Sequence, residues 1–148
     1  MSIQGIYRRD VITVGPEATV AEVAGLMRTQ HVGDVIVVEH DARRRPIGIV
    51  TDRDLVVEVL AQEVDPEELT AADVMSRDLV SVGEDEGILR VIRVMRDYGH
   101  RRLPVVNAAG ALVGVLSMDD VFRLMAVELS ALASISTQER LQECERRS

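Results

Sequence analysis

The chain is written twice. The stretch RDVITVGPEATVAEVAGLMR, beginning at Arg9, aligns without a gap to RDLVSVGEDEGILRVIRVMR, beginning at Arg77, at an offset of 68 residues. Arg9-Asp10 falls on Arg77-Asp78, Thr13-Val14-Gly15 on Ser81-Val82-Gly83, and Met27-Arg28 on Met95-Arg96. Val37-Val38 falls on Val105-Val106 at the same offset, which drops to 66 by Gly48 and Gly114. The two missing residues lie where HDARRRP is matched by the shorter NAAG. A length change confined to a turn is what a duplicated structure tolerates. A repeat of this kind restricts the fold to two related units, and units of roughly 60 residues have little core alone, so they must pack together.

Each unit reads as β-α-β-β-α. In the first, residues 11–14 are a short extended piece. Thr19 and Glu22 make a capping box, and Val20, Val23, Ala24 and Met27 share a helical face. Gly33 is expected to stop that helix. DVIVV at 34–38 is an apolar strand, DARRRP a solvated turn, IGIV at 47–50 a second strand, and a helix is predicted from Thr51 to about Ala61. The second unit repeats the order: strand 79–82, helix 87–98, Gly99 as its stop, strand 103–106, a turn around 107–110, strand 112–116, and a helix from Ser117. The expected division is a first repeat over 5–62, a polar linker over 63–70 broken at Asp65-Pro66, a second repeat over 71–128, and a helical tail over 129–148. Thr70 and Asp73 look like the cap of a short helix leading into the second repeat. In the tail, Val121, Leu124, Met125, Leu129 and Leu132 form a stripe at helical spacing, expected to close part of the fold and, by its extra length, to meet another copy or a partner helix.

The stretches GIVTDRD at 48–54 and GVLSMDD at 114–120 share one grammar: Gly, two aliphatics, a hydroxyl, two variable residues, Asp. Thr51 with Asp54, and Ser117 with Asp120, fit a hydroxyl N-cap with an acidic residue at the third helical position. Each also lies where a strand opens into a helix, and free backbone N–H groups gather ligands there. Gly48 and Gly114 lack a side chain at a point where a ligand could approach closely. Two equivalent strand ends brought together by pseudo-twofold packing would make a cleft with two related sites.

Composition narrows the ligand and excludes several functions. Lys plus Arg is 17 and Asp plus Glu 25, a net charge of −8, which opposes nucleic acid and anionic membranes as partners. No apolar run approaches the roughly 20 residues that span a bilayer, and no leader is legible, so a cytoplasmic location is expected. With no Trp, one Phe and two Tyr, the core must be aliphatic and a base cannot rely on aromatic stacking. Cys144 is single, and His31 and His40 have no ligand spacing with it or each other, so no metal site is expected. No nucleophilic triad, phosphate loop or paired-carboxylate catalyst is legible, and no catalytic residue is assigned.

At matched register, GIVTDRD, GVLSMDD, the helices VAEVAGLMR and ILRVIRVMR, and YGHRRLPVV at 98–106 resemble a tandem pair of CBS (cystathionine-β-synthase) domains, a Bateman module of the small stand-alone bacterial type. The resemblance covers about residues 5–128. It implies an α/β fold of two β-α-β-β-α repeats, and a regulatory module rather than an enzyme. It implies an adenine nucleotide, AMP, ADP or ATP, with Mg²⁺ only as the nucleotide brings it, held between the repeats with no cofactor required. S-adenosylmethionine and NAD are the alternative ligands of such modules. Asp54 and Asp120 would take the ribose hydroxyls, with Thr51 and Ser117 near ribose or phosphate and Thr13 in the same site. His100, Arg101 and Arg102 match the basic positions that would meet phosphate, the Arg pair serving the Asp54 site. The first repeat has Gly33 and Asp34 there, and Asp34 would repel phosphate, so two unequal sites are expected. The family further implies a homodimer and a separate regulated protein. Two rival readings stay open: a ligand-free interaction module in which both motifs are only caps, and an enzyme acting on nucleotides.

Overall fold

The computed structural model describes residues 1–147; Ser148, the end of the expected tail, lies outside the described residues. The first repeat contains β1 (Thr13–Val14), α1 (Val20–Gln30), β2 (Asp34–Val38) and β3 (Pro46–Thr51). It continues through α2 (Asp52–Asp54), which widens into a π-helical run at Leu55–Leu60. The short α3 (Ala71–Val74) leads to β4 (Val82–Gly83), α4 (Ile88–Tyr98), β5 (Arg102–Val106), β6 (Leu112–Ser117) and α5 (Met118–Arg147). Two three-stranded sheets result, ordered β1-β2-β3 and β4-β5-β6. In each, the outer pair is parallel and the hairpin antiparallel. A parallel pair needs a crossover, which α1 and α4 supply. Val37 faces Gly48 across the first hairpin and Val105 faces Gly114 across the second, each just before a register shift, so the duplication extends to the irregularities. The architecture is the expected α/β pair of repeats.

After Asp34 the strand DVIVV is apolar because both of its faces are covered. Val35 and Val37 pack with Val20, Val23 and Met27 of α1, while Ile36 and Val38 pack with Val115 of the second repeat. Successive side chains of a strand point to opposite faces, so one strand serves its own helix and the opposing repeat at once.

The repeats also exchange their lead-in segments. Arg8 and Val115 trade backbone hydrogen bonds of 3.0 Å each way, so the residues before repeat one extend the β6 edge of repeat two. Ser76 and Ile49 do the same, at 2.9 and 3.2 Å, on the β3 edge of repeat one. Side chains follow the backbone. Ile3 and Tyr7 are buried in the second repeat's core, and Ala71, Val74 and Met75 in the first's. Packing therefore crosses the expected boundaries: residues 5–8 close the second repeat, and partly buried Leu69, at the end of the polar linker, packs on the first. The short helix carrying this exchange is capped as expected. Hydrogen bonds from the Thr70 amide and hydroxyl hold the exposed Asp73 carboxyl below its usual range, a stabilisation present above the unfolded carboxylate pKa and lost as pH falls through the lowered folded value.

Three expectations are corrected. Helix α1 ends on His31, in the left-handed region at φ 54°, and not on Gly33. Gly33 instead offers its carbonyl to the Asp52 amide, and a Cβ there would lie 3.1 Å from the Asp52 carboxylate. Gly99, by contrast, caps α4 as read, at φ 69°. The apolar stripe of α5 closes the fold only through Val121, Leu124 and Met125; Leu129 and Leu132 are more than 60% exposed. Gly48 and Gly114 are not openings for a ligand. A Cβ at Gly48 would run into the Met75 side chain, and one at Gly114 into the Tyr7 ring, 2.6 Å from the Arg8 carbonyl oxygen. These glycines admit the exchanged segments.

The two obstacles differ in kind. Met75 can swing aside, whereas the Arg8 backbone is held by its hydrogen bonds. In urea unfolding, Gly114→Ala is expected to cost about 2–3 kcal/mol and Gly48→Ala about 1 kcal/mol. Equal costs would mean that the exchange is not sterically fixed at Gly114.

Candidate functional site

Both motifs are built as helix caps. The Thr51 hydroxyl accepts from the Asp54 amide at 3.2 Å, and Asp54 Oδ2 accepts from the Thr51 amide at 2.8 Å. The Ser117 hydroxyl accepts from the Asp120 amide at 3.1 Å, and Asp120 Oδ2 accepts from the Ser117 amide at 2.9 Å. Capping uses one oxygen of each carboxylate. The other oxygens differ: Asp120 Oδ1 accepts from Arg123 Nη1 at 3.1 Å and Asp120 is buried, whereas Asp54 Oδ1 takes no hydrogen bond among the described residues and Asp54 is half-buried.

Asp54 borders a cleft of about 170 Å³ between the repeats. Ile49, Thr51 and Asp54 form its first-repeat wall. Ser76, Asp78, Leu79 and Val80, the chain that runs on from the exchanged Met75, form the other, with His100 and Arg102. Sequence reasoning singled out Thr51 and Asp54 of the first motif but not its Ile49, and it gave no site role to Asp78, Leu79 or Val80, because the chain between β3 and β4 reaches this place only through the exchange. Cavities that bury a drug-sized ligand run to about 300–1,000 Å³, so this cleft has room for only part of such a ligand.

The basic pair is divided. Arg102 enters the cleft, where its Nε lies 3.0 Å from Asp34 Oδ1. Arg101 lines a separate apolar groove between α4 and α5, about 430 Å³, with Met95, Met118, Phe122 and Met125. Neighbours on an extended chain point to opposite faces, so the two arginines do not share one site. His100 borders both cavities. The groove is the larger space but is lined by neither motif hydroxyl and neither motif carboxylate, and the cleft is the better candidate. Thr13 is not brought to the cleft; its hydroxyl accepts from Arg44 of the hairpin turn at 3.1 Å. That turn is not merely solvated, since Arg45 pairs with Glu39 and the Arg44 carbonyl accepts from Leu112. Among the described residues no cluster of His, Cys, Asp and Glu is placed to hold a metal ion, and no helix is long and apolar enough to cross a membrane.

Comparison with known proteins agrees with this geometry. The CBS domain family matches twice, over residues 3–61 and 71–127. The chain is similar to the uncharacterized protein MK0525 of Methanopyrus kandleri, 40% identical over 124 residues, which is 84% of this chain and 62% of that one. It is similar along nearly its whole length to the CBS domain-containing protein YhcV of Bacillus subtilis, 34% identical over 140 residues, covering 93% of this chain and 96% of the other. Among solved structures it superposes on the hexameric CBS-CP12 protein from bloom-forming cyanobacteria with a TM-score of 0.72 at 30% identity, covering 82% of this chain and 69% of that one.

The unequal engagement of the two carboxylates has a measurable consequence. Removing a cap costs about 1 kcal/mol, which is the expected loss for Asp54→Ala in chemical unfolding. Asp120→Ala also removes the Arg123 contact of a buried carboxylate and is expected to cost about 2 kcal/mol. A larger loss for Asp54→Ala would reverse the assignment of the open site.

Proposed function

We propose that this chain, which belongs to the CBS-domain family, binds an adenine nucleotide in the Asp54 cleft and signals its occupancy to a separate protein. Tandem CBS domains generally act as regulatory ligand-binding modules. The observation that carries the finer reading is the unshared Oδ1 of Asp54 at the mouth of an inter-repeat cleft. A carboxylate oxygen can accept from a ribose hydroxyl, and a hydrogen bond to a charged group is worth about 1.5–3 kcal/mol. Ile49, Leu79 and Val80 offer aliphatic surfaces for a base, and Arg102 a cation for a phosphate. AMP, ADP and ATP are the proposed class; S-adenosylmethionine and NAD share the adenosine part and remain in the test.

The cleft is walled by both repeats, so a bound ligand favours the relative orientation that satisfies all its contacts. A ligand shifts a conformational equilibrium only by its differential affinity for the two states. A partner that distinguishes those states would read the change. The apolar groove between α4 and α5 and the exposed apolar residues of α5 support the further proposal of a homodimer, with that face as its contact.

The completed capping boxes favour one rival, a ligand-free interaction module, because both motif carboxylates already have structural work. A thermal-shift panel of AMP, ADP, ATP, NAD and S-adenosylmethionine separates the readings. A ligand at about 100 times its Kd adds about 2.7 kcal/mol, several degrees for a chain of this size. The expected result is a shift that Asp54→Ala abolishes and Asp120→Ala retains. No shift with any of the five would leave the ligand-free module as the reading.

A further inference from the structure

We propose that Asp34 limits the charge of the ligand that the Asp54 cleft accepts, by competing with phosphate for Arg102. This deepens the nucleotide reading and rests on it. Asp34 and Arg102 are 68 residues apart, the offset of the duplication, so they hold equivalent places at the starts of β2 and β5. Equivalent residues meet only at the pseudo-twofold axis, and this contact is therefore at the junction of the two repeats. Across the first hairpin, Asp34 sits directly opposite Thr51 of the ligand motif.

The charges around the cleft are unbalanced. Among the described residues Arg102 is the only Arg or Lys lining it, with His100 beside it, against Asp54 and Asp78, and it already faces the Asp34 carboxylate at 3.0 Å. The Asp34 side chain is only 6% exposed, so it cannot turn away to water when a second anion arrives, whereas Arg102 is 40% exposed and can be reached from the cleft. The Arg102 guanidinium faces Asp34 through Nε, and its side chain has no second carboxylate partner among the described residues, which leaves its terminal amino groups for one further anionic group. A single phosphate can share the guanidinium. Each additional phosphate adds repulsion from Asp34, Asp54 and Asp78, with only the His100 imidazole left at the cleft to offset it. The preferred ligand is accordingly an adenine nucleoside bearing one phosphate, and Asp34 sets that limit.

Titration calorimetry with adenosine, AMP and ATP, free of magnesium, on the full chain and its Asp34→Asn variant tests this. Wild type is expected to bind AMP at least about tenfold more tightly than ATP, since a charge a few ångströms away is worth one or more pK units. Asp34→Asn is expected to strengthen AMP about tenfold and ATP by more, while adenosine stays within about twofold. An unchanged ratio of AMP to ATP affinity, or weaker AMP binding in the variant, overturns the proposal while leaving the nucleotide reading intact. If none of the three binds either protein, both fall. Should Asp34→Asn fail to fold by circular dichroism, Arg102→Gln decides: AMP affinity is expected to drop to that of adenosine, and an unaltered AMP affinity overturns the proposal.

Discussion

Each repeat is finished by residues that belong, in sequence, to the other. The backbone bridges from Arg8 to Val115 and from Ser76 to Ile49 put a lead-in segment on each hairpin edge, and Tyr7 and Met75 seat over Gly114 and Gly48. Edge strands left open are templates for unwanted pairing, and here the exchange covers them. It also sets the angle between the repeats. The chain that leaves Met75 has no choice but to run as Ser76–Val80 along the opposite face of the cleft from Thr51 and Asp54. The cleft is thus a by-product of the way two small cores are closed, and a ligand seated in it would act on the same contacts that hold the repeats together.

Duplication made two equivalent capping motifs, and their surroundings then made them unequal. The capping distances of Asp54 and Asp120 match closely, 2.8 and 3.2 Å against 2.9 and 3.1 Å. Three positions beyond Asp120 stands Arg123, close enough on a helix to take the second carboxylate oxygen. Three beyond Asp54 stands Val57, which cannot. The helix after Asp54 also widens into a π-helical run, whereas α5 continues as a regular helix of 30 residues. At the axis, an aspartate in one repeat meets an arginine in the other, and the arginine lines the Asp54 cleft.

Local features were legible because local chemistry decides them. Thr19 with Glu22, Thr51 with Asp54 and Ser117 with Asp120 form the capping boxes their spacing predicts, and Gly99 ends its helix. The errors arose where a residue answers to something distant. The position of Gly33 predicts a helix stop, yet the residue meets Asp52, 19 residues on. Gly48 and Gly114 predict room for a ligand, yet the room is filled from the far repeat. Arg101 and Arg102 look like one basic patch in a string, and the turn of the chain into β5 at Arg102 divides them between different cavities. Thr13 was placed in the site by resemblance and lies instead beneath Arg44.

The amino-acid sequence by itself determined the duplication, the α/β character, the caps and the two acidic motifs. Each of these follows from composition and from spacings of a few residues, or from one stretch laid over another. Only the tertiary structure decided which carboxylate keeps a free oxygen, which arginine enters the cleft, and what the glycines make room for. Those outcomes depend on contacts between residues tens of positions apart. They exist only once the lead-in segments have crossed and the two repeats share an axis.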